Sequence, residues 1–163
     1  MIRSAEQELY NILEQLNIKY KRYEHKPVYT VEEADNLDID IPGQHCKNLF
    51  LRNKKGNIHY LVIADSQKHI DLKLLSKEIG SSGLSFASEE RLYKYLGLKA
   101  GSVSPFGLIN DIERKVIVLI DRKLTDKSIV NFHPNVNTAT IGVSYDDLEK
   151  FIKWHENRFI YID

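Results

Sequence analysis

Apolar residues at Leu9, Ile12, Leu13 and Leu16 recur at intervals of three and four, which predicts an amphipathic helix over residues 4 to 16. Ser4 and Gln7 form a capping box at its start and Asn17 ends it. The segment carrying Tyr20, Arg22, Tyr23 and His25 alternates ahead of Pro27 and predicts a short strand. Thr30 with Glu33 predicts the cap of a second short helix, and the acids Glu32, Glu33, Asp35, Asp38 and Asp40 make residues 32 to 40 a solvated helix and loop. Lys47 to Asn53 and Ile58 to Ala64, joined across Lys54-Lys55-Gly56-Asn57, predict a β-hairpin. Asp71 opens a helix with Leu72, Leu75 and Ile79 on one face and Gly80 as its stop. Ser88 caps another, with Glu89 and Glu90 in its first turn, running to about Leu96 before Gly97. The unbroken apolar run Val116 to Ile120 is long enough for a buried strand and too short for a helix. Ile129 to Phe132 and Thr138 to Val143 predict two more strands, and Ser144 with Asp147 begins a last helix lined by Leu148, Phe151, Ile152 and His155. Helices and strands interleave without a βαβ rhythm. The expected class is therefore α/β (α+β), a mixed, partly closed sheet flanked by helices.

Composition narrows the function more than the fold. A chain of 163 residues has the length of one domain, and it holds no internal repeat, low-complexity tract or linker, so residues 1–163 are expected to form one unit. Lys plus Arg and Asp plus Glu number 23 each, which leaves no overall field to draw the protein to nucleic acid or an anionic membrane. Any contact with RNA must be local. Lys54, Lys55, Lys68, Lys73, Lys77 and Arg91 are candidates for a basic rim, and equally for solvated faces balanced by acids. The single cysteine, Cys46, excludes an intramolecular disulfide and a multi-thiolate zinc site and suits a reducing cytosol. No apolar run approaches the roughly 18 residues of a membrane span, and the first residues lack a signal-peptide core, so a cytoplasmic protein is expected.

Three clusters could carry chemistry. In Gly101-Ser102-Val103-Ser104-Pro105-Phe106-Gly107, two glycines and a proline set unusual backbone angles, and the exposed amides could aim several N–H groups at one oxygen. The stretch has neither the Lys-Ser/Thr ending of a P-loop nor a G-x-G-x-x-G pattern, and an ordinary Gly/Pro turn remains the alternative. Lys47, just ahead of Leu49-Phe50-Leu51, is either a surface charge or a cation reaching across a pocket mouth to a phosphate. His133 before Pro134 is either a strand-end histidine held by backbone or a hydrogen-bonding group beside a reacting ester. Cys46 with a histidine could form a thiol–imidazole pair. Alternation along a strand turns Cys46 away from any pocket that Lys47 faces, so Cys46 is expected to be a packed thiol. The histidines show no H-x-x-x-H or H-E-x-x-H spacing, and neither a metal nor a cofactor is expected.

Lys47-Asn48-Leu49-Phe50-Leu51, then Gly101 to Leu108 followed by Asn110-Asp111, then Phe132-His133-Pro134 with Asn137 and Thr138, come in the order and spacing of a known family. In these pieces the chain resembles the aminoacyl-tRNA editing proteins that include the YbaK deacylases and the insertion domain of bacterial prolyl-tRNA synthetases. The resemblance runs from the first helix to Phe151 and is closest to free-standing members that hydrolyse alanyl-tRNA(Pro). It implies that Lys47 holds the terminal adenosine near its phosphate, with Asn48 a polar neighbour. Gly101 and Pro105 would bound a substrate-holding loop that includes Ser102, Val103, Ser104, Phe106 and Gly107, and His133 would lie near the aminoacyl group. Ser104 stands where many alanine-specific members carry threonine. The implied partner is the alanine-bearing acceptor end of tRNA(Pro), with a transient association with prolyl-tRNA synthetase, for a protein acting as a monomer. The implied reaction is hydrolysis of the ester by water without a protein nucleophile, with the stiff Val103-Ser104-Pro105-Phe106 wall excluding proline. Three competing readings remain open: the same fold acting on cysteinyl- or seryl-tRNA, a non-catalytic sensor of prolyl-tRNA or proline, and a thiol hydrolase using Cys46.

Overall fold

The computed structural model describes residues 4–30, 32, 33, 36, 37 and 39–163. Helix α1 (Ser4–Gln15) buries Leu9, Tyr10 and Leu13 along its apolar stripe and gives way at Asn17, whose φ of 58° is a left-handed conformation that asparagine tolerates. The elements that follow are β1 (Lys21–Glu24), β2 (Gln44–Arg52), β3 (His59–Asp65), α2 (Leu72–Ile79), β4 (Ser85–Phe86), α3 (Glu89–Leu96) and a 3-10 helix over Pro105–Asn110. The chain continues through β5 (Val116–Asp121), a second 3-10 helix (Arg122–Asp126), β6 (Ile129–Phe132), β7 (Ala139–Ser144), α4 (Tyr145–His155) and β8 (Phe159–Ile162). Between β1 and β2, Glu33 N–H donates to Thr30 Oγ1 at 3.0 Å as the capping box requires, while Asp35 and Asp38 lie outside the described residues.

The eight strands form one mixed sheet in the order β1-β7-β6-β2-β3-β5-β8, with β4 paired to β2 off that path. β2 and β3 make the expected antiparallel hairpin, and β3, β5 and β8 run parallel. Side chains alternate between two cores. On one face Phe50, Leu61, Ile63, Val118, Phe132 and Ile141 pack against α1, α3, α4 and the first 3-10 helix. On the other, Leu51, Tyr60, Val62, Ala64 and Leu119 pack against Leu75 of α2. β3 is covered on both faces and buries every residue from His59 to Ala64, which is why its sequence reads as an unbroken apolar run. The helix ends obey local chemistry: Asp71, Ser88 and Ser144 accept backbone N–H groups at their N-caps, and Gly80 (φ 70°) and Gly97 (φ 65°) close α2 and α3 in the left-handed region. The strands β4 and β8 and both 3-10 helices were not anticipated from the pattern.

One irregularity positions the site. β2 pairs with β6 in parallel only at Gln44 and His45, and on the same edge it pairs with β4 at Leu51 and Arg52. Between those two contacts β6 turns away at its C-terminal end, and the sheet opens along Cys46 to Leu49. Among the described residues, no helix is long and apolar enough to cross a membrane.

Candidate active site

The opening is a cavity of about 210 Å³ whose walls come from five stretches of chain. β2 contributes His45 to Leu49, the end of β6 contributes His133, the loop after α3 contributes Gly101 and Val103, and Val28 to Thr30 cross over the top, with Ser66 beside them. Lys47, Asn48, Gly101, Val103 and His133, separated by up to 86 positions in the chain, therefore line one space. The strap at 28–30 is tied down by the β6–β7 connection: Val28 N–H donates to Asn137 O at 3.3 Å, Asn137 Nδ2 donates to Val28 O at 3.2 Å, and His25 N–H donates to Thr138 O at 2.9 Å.

Lys47 has no ion-pair partner among the described residues, so its ammonium is available to an anion at the cavity. Asn48 Oδ1 is buried and accepts no hydrogen bond from the described residues, an acceptor that a ligand donor would satisfy. His133 Nδ1 lies 2.9 Å from Ala139 O. A carbonyl only accepts, so Nδ1 carries the proton and Nε2 keeps its lone pair. Burial holds the His133 pKa below the ordinary histidine value, with nearby His25 pushing the same way and the bond to Ala139 opposing, so the ring is neutral at pH 7. Gly101 has φ 89°, a left-handed conformation that favours glycine, and a Cβ there would sit 2.9 Å from Tyr29 Cδ1, close enough to displace that exposed ring.

The loop itself corrects part of the expectation. Only Gly101 and Val103 of its seven residues face the cavity. Ser104 is fully buried, and its Oγ accepts Phe106 N–H at 3.1 Å as the N-cap of the 3-10 helix, whose first residue is the buried Pro105. Phe106 packs edge-on against Phe132 and Phe151 in the main core, with centroids 5.9 and 5.2 Å away. Gly107 permits close packing, since a Cβ there would lie 2.6 Å from Leu98 Cδ1. Ser102 is buried and its N–H is spent on Lys99 O at 3.0 Å. The wall expected from Val103-Ser104-Pro105-Phe106 thus reduces to Val103, and of the loop's residues only Gly101 and Val103 border the cavity. Asn110 and Asp111 are structural as well: Asn110 Nδ2 donates to Leu96 O at 2.8 Å, and Asp111 accepts N–H groups of Lys115 and Val116 and Asn157 Nδ2.

Cys46, Lys47 and Asn48 all border the cavity, although alternation sends Cys46 toward the main core and Leu49 toward the second. The cavity lies across the parted edge of β2 and not on one face, so neighbours on both faces reach it. Burial pushes the Cys46 thiol up to about 12, and the Asp65 and Asp121 carboxylates add to the effect against a backbone hydrogen bond at Asn131. It is a protonated thiol at neutral pH and a poor nucleophile. Two of the candidate rim charges are engaged within the protein: Arg91 donates to Gly56 O at 2.9 Å and bonds His59 Nε2 at 3.0 Å, and Lys68 lies 3.8 Å from the buried Asp121 carboxylate. Among the described residues no three His, Cys, Asp or Glu side chains gather as a metal-ligand set.

Residues 25–151 match the family described as the aminoacyl-tRNA editing domain. The chain belongs to the aminoacyl-tRNA editing domain family. Its relatives include the prolyl-tRNA editing protein ProX of Acetoanaerobium sticklandii, 50% identical over 159 residues, covering 98% of this chain and 97% of that one. A prolyl-tRNA synthetase associated domain-containing protein 1 of Danio rerio is 36% identical over 148 residues, covering 90% of this chain and 80% of the relative. A solved structure described as a candidate trans-editing enzyme for prolyl-tRNA synthetase has the same fold, with a TM-score of 0.70, 17% identity and coverage of 99% of this chain and 98% of that one. Sequence reasoning about this editing domain missed Val28, Tyr29, Thr30, His45 and Ser66 at the cavity. Pro27 marked the end of an alternating stretch, but nothing local marked the three residues behind it as a strap.

Proposed function

We propose that this editing domain is a trans-editing deacylase that hydrolyses alanyl-tRNA(Pro), releasing alanine and free tRNA(Pro). The observation that carries this reading is the convergence of Lys47, Asn48, Gly101, Val103 and His133 on one small cavity, where among the described residues Lys47 has no ion-pair partner and buried Asn48 Oδ1 accepts no hydrogen bond. Water adds to the ester carbonyl to give a tetrahedral oxyanion, which collapses as the bond to the ribose oxygen breaks, and that oxygen leaves with the proton lost by the water. Gly101 and Val103 N–H groups face the developing oxyanion, where one well-aimed donor is worth roughly 3 to 4 kcal/mol. Lys47 meets the phosphate of the terminal adenosine. Asn48 Oδ1 accepts from the ribose or the α-ammonium, and neutral His133 accepts at Nε2 from the attacking water or the ribose hydroxyl that orients it. Cys46, protonated and packed, takes no part.

Selectivity follows from size. A synthetase that selects proline rejects a smaller amino acid poorly, because missing methylenes forfeit only about 1 to 3 kcal/mol, and a second, smaller site can then remove the error. In this reading Val103 and Tyr29, which border the cavity, crowd out the pyrrolidine ring while admitting a methyl side chain. In this reading residues 1–163 act as one domain, as a monomer in the cytoplasm that meets prolyl-tRNA synthetase transiently. The test is release of labelled alanine, cysteine, serine and proline from matched tRNA(Pro). Alanine should leave fastest and proline should stay. Preferential release of cysteine or serine would reassign the substrate, and tight binding without any release would make the protein a sensor.

A further inference from the structure

The cavity is smaller than the roughly 300–1,000 Å³ of sites that enclose a drug-sized ligand, so an acceptor end that places its ester there must run its preceding nucleotides outside. Tyr29 forms the shared wall of the cavity and of a second cleft of about 750 Å³. Lys99 and Ala100, the two residues before Gly101, line that cleft together with Tyr93 on α3 and the buried Leu98. The Tyr29 and Tyr93 side chains are 66% and 64% exposed, and neither ring stacks on or hydrogen-bonds to another described residue. Two uncovered aromatic faces beside a cation are how proteins hold unpaired bases, by stacking on the rings and pairing the backbone phosphate. Glu89 and Glu90 also line the cleft. Their carboxylates repel a bare phosphate but match the amino donor of cytosine, the base to which acidic side chains pair.

Resting on the editing function proposed above, we infer that this cleft is a binding subsite for the cytidine that precedes the terminal adenosine of every tRNA. Its base stacks on Tyr93 and Tyr29, its amino group donates to Glu89 or Glu90, and Lys99 meets its phosphate. The subsite adds affinity for the acceptor end without reading which tRNA is bound.

The test is steady-state hydrolysis of the alanyl esters of adenosine 5′-phosphate (the adenosine ester, which keeps the phosphate that Lys47 meets), cytidylyl-adenosine and uridylyl-adenosine, and of alanyl-tRNA(Pro), by wild type and by Tyr93→Ala. Tyr93 is exposed, so its removal should leave the fold intact. Wild type should show a lower KM for the cytidylyl-adenosine ester than for the adenosine ester. Tyr93→Ala should lose that gain, with KM rising about 5- to 150-fold for the dinucleotide ester and the tRNA and kcat unchanged. It should hydrolyse the adenosine ester like wild type, and Tyr93→Phe should behave as wild type throughout. Wild-type turnover with the same KM for all substrates, or a Tyr93→Ala variant that leaves KM unaltered, would overturn the subsite alone. Equal KM values for the cytidylyl and uridylyl esters would overturn the cytosine assignment. Wild type that hydrolyses none of the four would remove the editing function and the subsite with it.

Discussion

The loop between α3 and the first 3-10 helix carries two glycines that look alike in sequence and do different work, and substituting each by alanine separates them. At Gly101 the φ of 89° costs an L-residue about 1–2 kcal/mol. The new Cβ would meet Tyr29 Cδ1 at 2.9 Å, yet that ring is 66% exposed and can swing aside, while Val28 O at 3.5 Å is an ordinary contact. Stability should therefore fall by only about 1–2 kcal/mol. The function should fall much further, because in the proposed reaction the N–H at this position is one of two that meet the oxyanion, and re-aiming such a donor costs about 10²- to 10³-fold in kcat. At Gly107 the Cβ would lie 2.6 Å from Leu98 Cδ1 and 3.1 Å from the Leu96 carbonyl, which is backbone and cannot yield cheaply. Overpacking there should cost about 1–3 kcal/mol of stability and leave kcat near wild type. Urea unfolding and alanyl-tRNA(Pro) deacylation on the same preparations read both quantities. Wild-type kcat in Gly101→Ala, or lost kcat in Gly107→Ala at unaltered stability, would refute the division of the loop into a ligand half and a core half.

Lys47→Ala should lower kcat/KM by about 10- to 150-fold, the worth of a hydrogen bond to a charged group, with partial recovery in Lys47→Arg; activity within twofold of wild type would remove the phosphate role. Cys46→Ala should keep wild-type turnover, and iodoacetamide should react slowly with the native protein, since the thiol is buried and protonated. A tenfold loss of kcat in Cys46→Ala would restore the thiol hydrolase. His59, stacked between Phe50 and Tyr95, is pushed from 6.5 to about 4, chiefly by burial and then by Arg91, Arg52 and Lys94. A histidine depressed in the folded state binds its proton more readily when unfolded. Its contribution is therefore complete above pH 6.5 and lost as the pH falls toward 4, by about 3 kcal/mol in all. The difference in urea stability between wild type and His59→Asn should shrink by that order between pH 7 and pH 4, and a pH-independent difference would contradict the assignment.

How much of this was legible depends on the range of the interaction that decides each residue. Capping residues such as Asp71, Ser88 and Ser144 act on N–H groups two or three positions away, so their roles could be read from neighbours alone. Lys47, the Gly101 loop and His133 could each be singled out by residue chemistry with a bland alternative beside it, but their joining in one site rested on the resemblance, because the shared cavity depends on distant strands. Ser104 and Phe106 misled for the same reason. A Gly/Ser/Pro loop reads alike whether its amides face outward or are taken up by a serine Oγ, and only the Phe132 and Phe151 rings, far along the chain, decide that Phe106 turns inward. β8 could have been found, since Phe-Ile-Tyr-Ile at 159–162 is an aromatic and β-branched run.

β4 could not have been read, and the site depends on it. A two-residue strand has no period to detect, yet Ser85 and Phe86 occupy the β2 edge at Arg52 and Leu51 while β6 holds the same edge at Gln44 and His45. Had β6 continued along that edge, its backbone would have closed the gap beside Cys46 to Leu49 and filled the place where Lys47 and Asn48 now meet Gly101 and His133. Sharing one edge between two partial neighbours leaves the middle of a core strand open to a ligand, held rigid at both ends and by β3 along its other side. Catalysis of an already labile ester asks for little more than such rigid placement of donors and water.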